Sequence, residues 1–303
     1  MSSSPSPASP GAWRRLLRNR PAVAAMVLLV GIVLLAAFGP MVFQTDPHST
    51  SQNQFSPPSA KHIFGTDLNG RDVFARVLEG ARISLFVGFC GALVSFTIGT
   101  SYGLIAGYVG GKTDAVMMRI VEILYAVPRL IIIIIASFVF DPFVKSWLST
   151  IYEPLVGYSK ILILILALGA IEWLTMARIV RGQVLSLKNQ QFVLAARSLG
   201  QSHTRIVVRH LLPNLVGIVV IYLTLTIPAV ILDETFLSFL GLGIQAPQAS
   251  WGSLLADGAQ AINSIRSYWW MLFFPALAMS LTLLALNFLG DGLRDALDPR
   301  GKR

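Results

Sequence analysis

Long uninterrupted apolar runs dominate the chain. Ala22 to Phe43 is apolar throughout, and further runs lie near 83–107, 115–140, 161–181, 213–233 and 269–289. At about 20 residues per spanning helix, each is long enough to cross a bilayer. The pattern therefore predicts an all-α polytopic membrane protein with about six transmembrane helices. The alternating segments of about ten residues that mark a membrane β-barrel are absent. The third run is the least clean, because Arg119 and Glu122 sit in its first turns. Gly88, Gly91, Gly99, Pro128, Gly169, Pro228 and Pro275 interrupt the runs, which close helix packing and local rearrangement tolerate in membranes. Residues 1–11 are Ser/Pro-rich and expected to be disordered, and Trp13 to Arg20 is basic and amphipathic. The first run is longer than a signal-peptide core and no small-x-small cleavage site follows it, so it is expected to remain as a span.

Composition agrees. Hydrophobic residues make up 54% of the 303 and charged residues 13%, with mean hydropathy +0.66. A soluble domain carries about 25% charge, so a soluble enzyme and a disordered chain are both excluded. The net charge of +9 would suggest a nucleic-acid partner in a soluble protein. Its placement says otherwise. Arg14, Arg15, Arg18 and Arg20 precede the first run, and Arg178, Arg181, Lys188, Arg197, Arg205 and Arg209 crowd 178–212, with no acid in either segment. Bases and acids balance in 44–82. Positive charge gathers on the cytoplasmic side, so the pattern expects both termini inside and no nucleic acid as partner.

The organisation expected is a disordered and basic cytoplasmic segment at 1–21 and a first transmembrane helix at 22–43. An external loop with a short helix follows at 44–82. A five-helix core covers 83–289 and includes a cytoplasmic loop at 182–212; a cytoplasmic tail covers 290–303. The loop should form a short helix, a turn at Gly200, and a second helix interrupted by Pro213. Two such helices are too small to fold alone; they could lie on membrane lipid or dock into a partner's groove.

Candidate chemistry is sparse. Cys90 is the single cysteine, and the four histidines are scattered. No catalytic, cofactor-binding or metal-binding set is expected. Ala106 to Thr113 looks like a phosphate loop but has Ala where the first Gly is needed, and an apolar run rather than a strand precedes it. A glycine turn explains it better. Arg129 and Glu172 are expensive in lipid and should face the protein interior or a wet path. Each lies 11 residues from the expected outer end of its run, Phe140 or Ile161. That is about 16 Å deep at about 1.5 Å per residue, so the two are expected to pair. Gly65-Thr66-Asp67 and Gly70-Arg71-Asp72 should form an external turn and helix start, with Asp67 or Asp72 as local caps. Residues 234–268 should fold against the outer mouth, and Trp269-Trp270 should anchor the sixth span at the interface.

The loop resembles the EAA loop of bacterial ABC importer permeases: Glu-Ala-Ala, three residues, Gly, nine residues, Ile-x-Leu-Pro. Here Leu194-Ala195-Ala196, Gly200 and His210-Leu211-Leu212-Pro213 follow that spacing, with Leu194 and His210 departing from it. The resemblance extends from Arg14 to Arg303 and is to the C-type permease subunit of oligopeptide and dipeptide importers. It is carried by His62-Ile63-Phe64-Gly65-Thr66-Asp67, Gly70-Arg71-Asp72-Val73, Ala177-Arg178-Ile179-Val180-Arg181-Gly182-Gln183, Leu237 to Gly243, and Asp291 to Pro299. It implies a type I ABC importer fold in the bacterial cytoplasmic membrane and a heterodimer with a B-type permease. Two ATP-binding subunits, an extracytoplasmic substrate-binding protein and a peptide substrate are implied with it. ATP would be bound by those partners, and this chain would hold no cofactor. Coupling to the ATPase would fall to Phe192, Ala195, Ala196, Arg197, Ser198, Leu199, Gly200, Leu212 and Pro213, and transport would proceed by alternating access. The external turns could touch the binding protein. Nickel, glutathione or another small solute is the alternative cargo; an ATP-independent transporter or channel is the alternative class.

Overall fold

The computed structural model describes residues 12–262 and 266–297. The disorder expected at 1–11 and the end of the expected C-terminal tail lie outside them. Among the described residues most are helical and none lies in a strand, with two isolated bridges, Thr66 to Asp72 and Ile262 to Ser267. Among the described residues, six helices are long and apolar enough to cross a membrane.

A short helix, α1 (Ala12–Arg18), leads into α2 (Arg20–Phe43). The Asn19 side chain accepts from the Ala22 amide at 3.3 Å, and Pro21 occupies the first turn, where its missing N–H costs nothing. Residues 44–72 hold no helix. The expected short helix is instead the start of α3 (Val73–Val109), which begins ten residues before the apolar run because Asp72 caps it, accepting from the Ala75 amide at 3.0 Å.

The expected third span is displaced. Helix α4 (Gly111–Ala126) stops at Val127, which is extended, and α5 (Arg129–Ile151) restarts after Pro128. Proline pushes its predecessor out of the helical region and removes an amide donor, so the break falls where the chemistry puts it. α5 then runs past Phe140. Asp141 joins Lys145 at 2.7 Å one turn on, which lets the helix carry these charges. The expected 141–160 loop shrinks to a 3-10 turn, Glu153–Tyr158.

Helix α6 (Ser159–Leu187) is the principal partner of α3. Gly99, Gly103 and Gly107 recur every fourth residue on the facing side of α3. A Cβ at Gly99 would stand 2.6 Å from Met176 Cβ and 2.7 Å from the Trp173 carbonyl oxygen. Small residues in this register let two backbones approach closely, the main route to helix association in lipid.

Helix α7 (Gln191–Ser198) and α8 (His203–Ile206) lead through a π-helical turn, Val207–Leu211, into α9 (Leu212–Phe239). Pro213 therefore sits in the first turn of α9 and does not interrupt it; the wider π turn takes up the missing bond. Helix α10 (Trp251–Ala261) opens with a reciprocal Ser250–Ser253 capping box. Helix α11 (Trp270–Leu297) extends through most of the expected tail. The expected Trp269-Trp270 anchor is divided. Trp270 is buried and donates from Nε1 to the Thr66 carbonyl at 3.2 Å, while Trp269 stays exposed.

Candidate functional site

At the basic end of the bundle, α7 lies across the tips of α3, α6 and α9. Its sequence QFVLAARS is amphipathic, and Val193 and Ala196 point into the bundle. They join Val180, Val184, Ile206, Leu211 and Leu215 in one apolar cluster. Phe192, Leu194, Ala195, Arg197, Ser198 and Leu199 face away, Leu199 being 81% exposed. Of the two alanines expected at the coupling surface, only Ala195 is therefore open to a partner. Leu212 is half-buried and Pro213 exposed behind the helix.

The helix ends on Gly200 at φ +73°. The Gln201 amide donates to the Ala196 carbonyl at 3.1 Å and the Gly200 amide to that of Arg197 at 3.0 Å. These are the paired bonds of a left-handed helix stop, which glycine enters without steric cost. His210 Nε2 meets Gln201 Oε1 at 3.0 Å, so the residue that departs from the motif ties the second half of the loop to the first.

The supports are polar. The Tyr108 hydroxyl reaches His203 Nδ1 at 2.8 Å, and Lys188 Nζ donates to the Gly107 carbonyl at 2.8 Å. Arg181 donates to both Asp114 oxygens. Those hydrogen bonds hold the Asp114 carboxyl below its ordinary value. The phosphate-loop lookalike is the turn between α3 and α4, with Gly110 at φ +71° and Gly111 at +57°, preceded by a helix.

A second polar site lies within the bundle. Arg129, the first residue of α5, directs Nη1 at Glu172 Oε1 (3.3 Å) and Nη2 at Asp233 Oδ1 (3.0 Å). The structure thus brings Arg129 and Glu172 together and adds Asp233, which span counting missed. Its signal was present, as an aspartate closing the fifth apolar run. Below this triad the Tyr125 hydroxyl meets Thr175 Oγ1 at 2.5 Å, and Arg178 lies 3.8 Å above the Tyr125 ring.

At the opposite end, Asp67 is 2% exposed and organises the loop. It accepts from the Asn69 and Arg71 amides, from Arg71 Nε at 2.7 Å and from Arg76 Nη1 at 2.8 Å. Arg76 also reaches Asp257 of α10 at 3.1 Å. Fully buried Glu234 accepts from Ser84 at 2.9 Å and Ser238 at 2.7 Å, joining α3 to α9. Trp251 packs on Gly80 and ties α10 to the same point.

Comparison with known proteins matches two family models. Residues 99–303 match the binding-protein-dependent transport system inner membrane component, and residues 9–58 match the N-terminal TM domain of oligopeptide transport permease C. The chain is 48% identical over 296 residues to the dipeptide transport system permease protein DppC of Bacillus subtilis, covering 96% of this chain and 86% of that protein. It is 45% identical over 294 residues to the oligopeptide transport system permease protein OppC of Haemophilus influenzae, covering 96% and 88%. Against OppC of Escherichia coli it is 46% identical, covering 96% and 91%. Among solved structures, the inward-facing MetNI methionine ABC transporter shares the fold, with TM-score 0.55 at 19% identity over 74% of this chain and 96% of that one. The chain therefore belongs to the binding-protein-dependent transport system inner membrane components, as a multi-pass permease subunit of an ABC importer.

Proposed function

We propose that this chain is the C-type half of a heterodimeric permease that imports dipeptides or oligopeptides across the bacterial cytoplasmic membrane. Both termini lie inside. A B-type permease completes the path, two partner subunits bind and hydrolyse ATP, and an extracytoplasmic binding protein delivers the peptide. The observation that carries the reading is α7, a helix whose inner face is consumed by its own bundle and whose outer face, Phe192, Leu194 and Leu199, is left uncovered. A two-turn helix held this way by a basic, acid-free loop suits a groove on a partner protein. The named dipeptide and oligopeptide permeases at 45–48% identity support a peptide cargo over nickel or glutathione.

Mechanically, Val193 and Ala196 are the transmission. They share one packed cluster with Val180 and Val184 of α6 and with Leu215 and Val219 of α9. Closure of the ATPase dimer would displace α7, and a close-packed cluster passes displacement on rather than absorbing it. Helices α6 and α9 carry Glu172 and Asp233, so the movement reaches the charged site at the head of α5. This chain performs no chemistry itself; it orients a path. The test is reconstitution of the whole importer in proteoliposomes. ATP-dependent accumulation of a labelled dipeptide that needs this chain supports the reading; its absence from an assembled, ATP-hydrolysing complex overturns it.

A further inference from the structure

Two open cavities meet at Arg129. The outer one, about 450 Å³, is lined by Leu232, Asp233 and Phe236 of α9 and reaches Leu255 of α10. The inner one, about 240 Å³, is lined by Tyr125, Pro128, Glu172 and Thr175. Arg129 is common to both and stands between them. Its side chain is 55% exposed, while those of Glu172 and Asp233 are 13% and 8% exposed. The carboxylates are thus fixed in the wall and the guanidinium is the part that faces open space. An exposed charge in lipid is costly, so this open face belongs to the protein interior or a wet path and not to the lipid. One cation shared by two carboxylates also leaves the wall one negative charge in excess when all three are ionised.

We infer that Arg129, Glu172 and Asp233 form a charged constriction on the translocation path, at which the α-ammonium of a passing peptide takes the place of the Arg129 guanidinium, first on Asp233 and then on Glu172. This rests on the peptide reading above. The α-ammonium is the cation that every peptide with a free N-terminus carries, whatever its side chains. It offers three donors to carboxylates that already accept from a guanidinium. The exchange replaces one charge-assisted hydrogen bond by another, so no carboxylate is left bare in the membrane during passage. The apolar walls beside the triad, Leu232 and Phe236, make no demand on side-chain identity.

The test uses the purified whole importer in nanodiscs, with Cys90→Ala in this chain and a reporter thiol at Leu232→Cys. Cationic and anionic methanethiosulfonate reagents are compared, modification being read from the mass of this chain and normalised to a free thiol. The cationic reagent should react about tenfold faster, the size of effect one nearby charge exerts on the ratio across a water-filled path. D233N with E172Q should bring the ratio to one or below, whereas Arg129→Lys, which keeps the charge, should preserve it. A dipeptide with a free N-terminus should slow modification, and its N-acetylated analogue should not. A thiol that reacts with neither reagent, a ratio near one in the unsubstituted wall, or equal protection by both peptides would overturn the constriction. If dipeptide uptake by the same complex continues in those cases, the peptide reading survives without it. Absence of uptake from the unsubstituted complex overturns that reading, and with it the ammonium as ligand.

Discussion

Arg181 Nε donates to Asp114 Oδ1 at 2.5 Å while its Nη2 donates to Oδ2 at 2.6 Å, so one planar fork fastens α6 to the first turn of α4. The pair stands beside the Gly110–Gly111 turn, where the Asp114 amide donates to the Gly110 carbonyl. Asp114 is also in the first turn of its helix, where the N-terminal amides favour an anion.

Asp114→Asn should loosen this corner by on the order of 1 kcal/mol, the scale of a partly exposed pair after solvent screening. The folded-state carboxyl is depressed below 3.8, chiefly by the Arg181 hydrogen bonds. Its contribution is therefore complete above the unfolded value and lost only as pH falls through the lower folded value. Thermal melts of the two proteins should stay a constant distance apart from about pH 5 to 8 and converge only below about 3.8. A gap that changes within the neutral range would contradict this.

Gly200→Val should impair transport while leaving membrane insertion intact. Nothing obstructs a side chain there, so the cost comes from φ +73° alone. A left-handed conformation costs an L-residue about 1–2 kcal/mol, more for a β-branched one. Import assays should show a loss of several-fold, with Gly200→Asn nearer to normal because asparagine tolerates that conformation.

Close approach of α3 and α6 should be equally sensitive to one methyl group. Gly99→Ala places a Cβ against the Trp173 carbonyl and Met176, a backbone contact that cannot swing away. Overpacking of this kind costs about 1–3 kcal/mol. Gly217→Ala, with nothing within 4 Å, should be neutral or slightly stabilising. Detergent-solubilised thermal stability distinguishes the two.

Glu234→Ala should destabilise by about 2–4 kcal/mol, because it opens a cavity and strands the Ser84 and Ser238 hydroxyls. Glu234→Gln keeps an acceptor and a side chain of the same size and should lose far less. Proteolysis at the α9–α10 connection would report the difference, since Trp251 and Ser84 share this junction.

Five of the six spans were legible because unbroken apolar runs leave a chain few alternatives to crossing lipid. The third was misplaced because averaged hydropathy runs smoothly through Pro128, whereas backbone sterics do not. The same break sets Arg129 at the head of α5. Phe140 does not end the span, because α5 continues to Ile151, so the meeting of Arg129 with Glu172 depends on the kink rather than on equal distance from a common surface. Asp233 escaped because it sits where a fifth span was expected to end. The helix and turn of the 182–212 loop could be read from Ala195, Ala196 and Gly200, but which alanine faces inward is a matter of helical phase against the bundle. Hydrophobic pattern over eight residues does not decide that phase, and Val193 decides it by packing with Val184.

Disulfide cross-linking from α7 to the ATPase subunit in the assembled importer tests the central claim, that this chain is driven through that helix. Cysteine at Ala195 or Leu199 should cross-link in at least one nucleotide state, while cysteine at Ala196, buried against the bundle, should not. An assembled, transporting complex in which neither Ala195→Cys nor Leu199→Cys reaches the ATPase in any nucleotide state would contradict the account.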